Sequence, residues 1–246
     1  GAFFNISPYL PLYLQFGILI IGLAIAFTMQ EAPSPDADGA GSSVHLKDLT
    51  TPVVLLLVYN IICIGIINNG QDNSKLFMQY DFGETISMKN VTMYISFIVF
   101  LSRVARMVGT YIFGELYKRI KDKLLHVLSI TLYLAFVFLV AGHLVHNLHV
   151  KIVIMGFGFC LILAMRDAVK IFIEDKILSA YDEKLQQHIL ILIGTSRAIG
   201  TLVFSGVITC ILTRQDMFVV EMLLLGVAAI NVVFGIYAIK KHPITA

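Results

Sequence analysis

Tryptophan is absent from this 246-residue chain, and charged side chains make up only 14% of it. Soluble domains carry roughly 25% charged and 45–50% apolar residues, whereas 58% of this chain is hydrophobic. So few charges cannot clothe a water-soluble globule of this size. A disordered chain, which is poor in apolar residues, is excluded on the same ground. The formal net charge is +2, so the basic excess of a nucleic-acid binder is missing. Cysteine is scarce. Cys63, Cys160 and Cys210 each sit in an apolar run, without paired spacing or a histidine at metal distance, and read as small buried hydrophobes. No metal and no cofactor is expected. Gly-x-Ser-x-Gly, paired aspartates and a zinc-helix motif are also lacking, so an enzyme is not expected. Residues 1–30 carry no charge and therefore lack the basic leader of a signal peptide.

What the chain does have is long apolar runs. About 20 such residues cross a bilayer as a helix, and the runs are of helical rather than barrel-strand length. Seven candidate spans follow: Pro11–Met29, Pro52–Asn69, Val91 to about Leu116, Leu124 to about Leu144, Ile152 to about Ile173, Ile189–Leu212 and about Phe218–Ile239. The expected fold is an all-α polytopic membrane protein with seven transmembrane helices. Residues 31–51 are rich in Pro, Gly, Ser and Asp, the composition of a flexible linker. Gly70–Asn90 reads as a second long connection, and Gly65 and Gly70 as places where the second span could break. With the C-terminus inside, the inner loops hold nine Lys and Arg and the outer loops four. That bias predicts a multi-pass cell-membrane protein with a cytoplasmic C-terminus.

Five basic residues remain within spans: Arg103, Arg106, Arg166, Lys170 and Arg197. They fall on the third, fifth and sixth spans. The first, fourth and seventh are almost pure hydrocarbon. A charge at the bilayer centre costs at least ~2.5–3.5 kcal/mol, so helices that carry one face a cavity or a partner. After the first span, the remaining six divide into two triplets, each with two polar-marked members and then a greasy one. This is a weak internal repeat of the kind transporters show.

Arg103 and Arg106 stand three apart on one face of the third span. Paired guanidinium groups at mid-membrane suit a carboxylate or phosphate, although a salt bridge to Asp167 would also answer them. Asp167, between Arg166 and Lys170, could pair with Lys170 locally, bridge helices or carry a proton. Arg197 either faces the cavity or snorkels to the inner surface. Asn60, central in the second span, could bind a polar solute or hold helices together. Gly156 and Gly158 point to close helix packing, since no strand precedes them to make a nucleotide loop. His143, His146 and His149 have i, i+3, i+6 spacing, and interfacial solvation is their default reading.

The segment after the third span, Gly114-Glu115-Leu116-Tyr117-Lys118-Arg119-Ile120-Lys121-Asp122-Lys123, resembles the short cytoplasmic loop signature of the major facilitator superfamily. Gly114, Leu116, Arg119 and Lys123 fit that signature. Lys118 stands where the family has aspartate, Lys121 where it has glycine and Asp122 where it has a basic residue. The linker at 31–51 and the place of this loop between the second and third helices after it fit the same family. The resemblance implies helices six to twelve of such a transporter. That is one helix in residues 1–30, a cytoplasmic linker at 31–51 and a six-helix C-terminal half over 52–246. An N-terminal half of the same transporter is then missing from this stretch. The implied function is secondary transport of a small polar, possibly anionic, solute by alternating access, with the lipid bilayer, the solute and the other half as partners. The implied lining helices are the first of each triplet, flanked by the second. A seven-helix receptor is the other class that this topology fits.

Overall fold

The computed structural model describes residues 49–181, 183–212 and 217–241. They fold into six α-helices: α1 Thr51–Gly83, α2 Met88–Ile120, α3 Leu124–Leu144, α4 Leu148–Leu178, α5 Glu183–Leu212 and α6 Met217–Lys241. A single 3-10 turn, Lys121–Lys123, joins α2 to α3. Among the described residues there is no strand.

Five helical stretches are long and apolar enough to cross a membrane: Thr51–Gly83, Met88–Leu144, Leu148–Leu178, Leu185–Ile211 and Met217–Tyr237. The chain therefore reads as a multi-pass membrane protein. The expected count of seven is corrected. The first expected span lies outside the described residues. The third and fourth fall in one 57-residue stretch, Met88–Leu144, because the turn between α2 and α3 is so short that helical backbone scarcely stops. Lys121 at that turn has φ 45°, the one positive φ outside glycine among the described residues. L side chains rarely adopt that region.

A second correction concerns α1. The Gly70–Asn90 connection does not form: α1 runs unbroken past Gly65 and Gly70 to Gly83, and only residues 84–87 separate it from α2. The C-terminal part of α1 is polar in composition yet buried, with Asn69, Asn73, Ser74 and Asp81 all inside. Short side chains there bond back to their own helix. Asn69 donates to the Gly65 carbonyl at 2.9 Å, Asn73 to the Asn69 carbonyl at 2.9 Å, and Ser74 to the Gly70 carbonyl. Such back-bonding answers the side chain within the helix.

The packing repeats between the triplets. α1 and α4 cross at the centre; α5 packs on α1 as α2 packs on α4; α6 packs on α1 as α3 packs on α4; and α3 and α6 pack on each other. Exchanging the triplets leaves these main contacts unchanged. Two close approaches sit at glycines. A Cβ on Gly109 of α2 would lie 2.2 Å from the Ala164 carbonyl oxygen of α4, and one on Gly200 of α5 would lie 2.1 Å from the Ile61 carbonyl oxygen of α1. Small residues at such crossings let backbones touch, which is the main source of helix association where lipid offers no hydrophobic gain. Gly158 of α4 plays the expected packing part, with a Cβ there 2.7 Å from the Ala135 carbonyl oxygen of α3.

Gly200→Ala and Gly109→Ala are predicted to force these helix pairs apart and cost about 1–3 kcal/mol, the range for overpacked sites. Gly206→Ala, where a Cβ meets nothing within 4 Å, is predicted to cost nothing. Thermal unfolding in detergent, following the three variants side by side, checks the ordering.

Candidate functional site

An arginine within hydrocarbon needs an answering group on its own or a neighbouring helix. Arg106 of α2 finds one in Asp167 of α4. Its Nε donates to Oδ2 at 2.5 Å and its Nη2 to Oδ1 at 2.9 Å, a two-pronged guanidinium–carboxylate pair. The side chains are 34% and 25% exposed. Asp167 thus bridges helices, and the local pair with Lys170 considered from the sequence is replaced by the stronger fork. Arg103, one turn away, has no hydrogen bond or ion pair among the described residues. It lines an open groove of about 520 Å³ together with Arg106, Met107, Thr110 and Asp167.

The other expected residues continue a polar belt through the bundle. Arg166 of α4 turns to α1 and donates from Nη1 to Gln71 Oε1 at 2.5 Å. Arg197 of α5 does not snorkel freely. It pairs with Glu174 of α4 at 2.7 Å and donates to the Lys170 carbonyl at 3.2 Å. Asn60 of α1 is fully buried and donates to Ser196 Oγ at 2.6 Å and to the Ile193 carbonyl at 3.3 Å, both on α5. It holds α1 and α5 together. Asn68 donates to Thr201 Oγ1 at 2.9 Å, and Asn69 accepts from Ser205 at 2.8 Å. A second open groove, of about 440 Å³, lies along this seam and is lined by Asn68, Arg197, Ala198, Thr201, Leu202 and Ser205.

The two grooves share a motif that the sequence reading missed. Arg106-Met107-Val108-Gly109-Thr110 on α2 matches Arg197-Ala198-Ile199-Gly200-Thr201 on α5. In both, the arginine lines the groove and the glycine three residues on makes the close helix contact. In both, the threonine hydroxyl donates to the arginine's own carbonyl, at 2.9 Å and 3.0 Å. The signal was available as an Arg-x-x-Gly-Thr repeat at the second position of each triplet. Glu174 was also missed, because it lies just past the expected end of its span.

The loop-motif residues lie at the C-terminal end of α2 and the turn after it. Gly114 and Arg119 are exposed, Leu116 packs against the core and Lys123 is exposed. The loop is fastened to α4 by its neighbours. Tyr117 donates to Asp175 at 2.5 Å, its ring meets Phe172 edge-on at 5.4 Å, and Asp122 pairs with Lys176 at 2.6 Å. Lys118 pairs with Glu115 along the helix at 2.6 Å. His143, His146 and His149 do not share a helix, because α3 ends at Leu144 and Asn147 caps α4 by accepting from the His149 and Val150 amides. No group of three metal-ligating side chains occurs among the described residues. Among known proteins, no family model, no curated sequence and no solved structure matches this chain.

Removing either member of the Arg106–Asp167 pair is predicted to cost about 1–3 kcal/mol, between the values for exposed and fully buried pairs because a quarter to a third of each side chain meets solvent. The swapped double variant Arg106→Asp with Asp167→Arg should regain part of that loss. Melting of both single variants and the double checks the coupling; additive losses would show that the pair contributes nothing.

Proposed function

We propose that the chain is the C-terminal part of a secondary transporter of the major facilitator kind, with residues 52–246 as its six-helix half. The solute is small, polar and anionic. Residues 31–51 are then the cytoplasmic linker and residues 1–30 the helix before it, in a cell-membrane protein with its C-terminus inside.

One observation carries this reading. The two triplets pack in the same pattern, and each supplies an arginine to a groove through the same Arg-x-x-Gly-Thr segment. Transporters built from repeats bind solute where the repeats meet, near mid-membrane. The mid-helix belt holds Arg103, Arg106, Arg166, Lys170 and Arg197 against Asp167 and Glu174, so it leaves a positive excess. Arg103 is the cation in it that faces a groove with its donors free. A guanidinium offers a planar fork that fits a carboxylate or phosphate. The positive φ at Lys121 supports the resemblance of the loop, since it falls where the family's signature has glycine. The clamp from Tyr117 and Asp122 to α4 is the kind of contact that fixes one gating state.

Uptake of anionic solutes into vesicles holding the full-length protein tests the proposal. Loss of one charge-assisted contact of about 1.5–3 kcal/mol predicts that Arg103→Ala lowers uptake about tenfold or more. Arg103→Lys is expected to keep part of the rate. Wild-type uptake in Arg103→Ala would remove Arg103 from the mechanism.

A further inference from the structure

A second charged cluster lies away from the arginine belt, where four helix ends meet. Asp81 comes from the last turn of α1, His143 from the last turn of α3, Lys151 from the first turn of α4 and Glu221 from the first turns of α6. The Asp81 carboxylate lies 3.0 Å from His143 Nδ1, with Lys151 Nζ 4.0 Å away. Glu221 Oε2 is 4.0 Å from the same imidazole nitrogen. The carboxylates are almost wholly enclosed, Asp81 at 4% and Glu221 at 1% exposure. Phe218 stacks on the His143 ring at 5.1 Å and covers it.

The partners are unequally shared. Asp81 takes the close contact with His143 and the nearer approach of Lys151. Neither oxygen of Glu221 has a hydrogen-bond partner. A bare carboxylate sealed from water without a donor is among the costliest groups a protein can bury, and such a group takes up a proton instead. The charges agree with this. Two carboxylates face one lysine and one imidazole, so one exchangeable proton decides whether the cluster is neutral. The other groups around it do not supply the missing charge. Glu84, just beyond α1, acts on Asp81 and adds negative charge. On α5, the remaining helix packed on α6, Arg197 is committed to Glu174, His188 lies near the far end and Cys210 is exposed.

We propose that Asp81, His143, Lys151 and Glu221 form a proton-binding site, with the proton held on Glu221 in this arrangement of helices. Release breaks the Glu221 O–H bond, leaves its electron pair on the carboxylate and passes the proton to water. The anion that remains needs His143 or Lys151 to turn towards it, so release goes with movement of the end of α6 against α1 and α3. The site stands on its own geometry. Its use as the coupling site of a transporter rests on the function proposed above.

Difference infrared spectroscopy of the full-length protein in lipid, at neutral pH, tests the site without any transport. A free glutamate is ionised there, its ordinary value being about 4.3. The expected result is a carboxylic-acid carbonyl band that vanishes in Glu221→Gln and persists in Asp167→Asn. Glutamine has the shape of the protonated acid, so that variant is expected to fold; should it not, Glu221→Asp must shift the band. A band unchanged in these Glu221 variants, or no such band at neutral pH, overturns the site. For coupling, an inward proton gradient should speed uptake in the parent protein and lose that effect in Glu221→Gln. Uptake indifferent to the gradient in the parent overturns the coupling role.

Discussion

A charge that enters hydrocarbon must be answered by another side chain, and in this bundle the answer comes from the next helix. Arg106 with Asp167 ties α2 to α4, Arg166 with Gln71 ties α4 to α1, and Arg197 with Glu174 ties α5 to α4. These contacts require helices close enough for side chains to meet head-on. Gly109 supplies that closeness for α2 on α4, while Gly200 brings α5 against α1 and its neighbour Arg197 reaches across to α4. Arginine and glycine recur together as one device, the segment Arg-x-x-Gly-Thr, in each triplet. The segment sets the crossing and hangs a cation beside it.

The rest of the architecture follows from where that device leaves polar groups. α1 and α4 are buried at the centre because each is gripped on one flank by the partner triplet's second helix and on the other by a greasy third helix. α3 is apolar all round yet about half of it is buried, since α4 and α6 pack on it. α2 is the reverse: few of its residues are buried, and Phe97, Phe100, Val104, Met107 and Tyr111 are exposed along it. An apolar surface of that extent suits lipid or another helical half. The arginine grooves open along α2 and α5, the two helices with the most free surface.

Much of this was legible in the sequence, and the misses have a common cause. Hydropathy located the helices, and the rarity of in-span charge picked out α2, α4 and α5. It failed at the C-terminal part of α1, because Asn73, Ser74 and Asp81 look like a loop by type. Their bonds back to their own helix, and the shelter of the helices packed on α1, are tertiary facts that no residue scale carries. The same blindness put His143 at a solvated edge, although a carboxylate 62 positions away binds it. The choice between Arg103 and Arg106 could not be made from spacing, since both share a face. It turned on which one stands opposite Asp167. The Arg-x-x-Gly-Thr repeat, by contrast, was written in the sequence and was hidden only by looking for charge and small residues separately.

If the proposed transporter reading holds, the groove beside Arg103 and Arg106 must be reachable by water from each side of the membrane in turn. The direct measurement is labelling of a single cysteine at that groove, Thr110→Cys, in full-length protein whose Cys63, Cys160 and Cys210 are replaced by alanine. A membrane-impermeant thiol reagent applied from either side should modify it, and solute should shift the balance between the two sides. Modification from neither side, or from one side alone whatever the solute, would contradict the account.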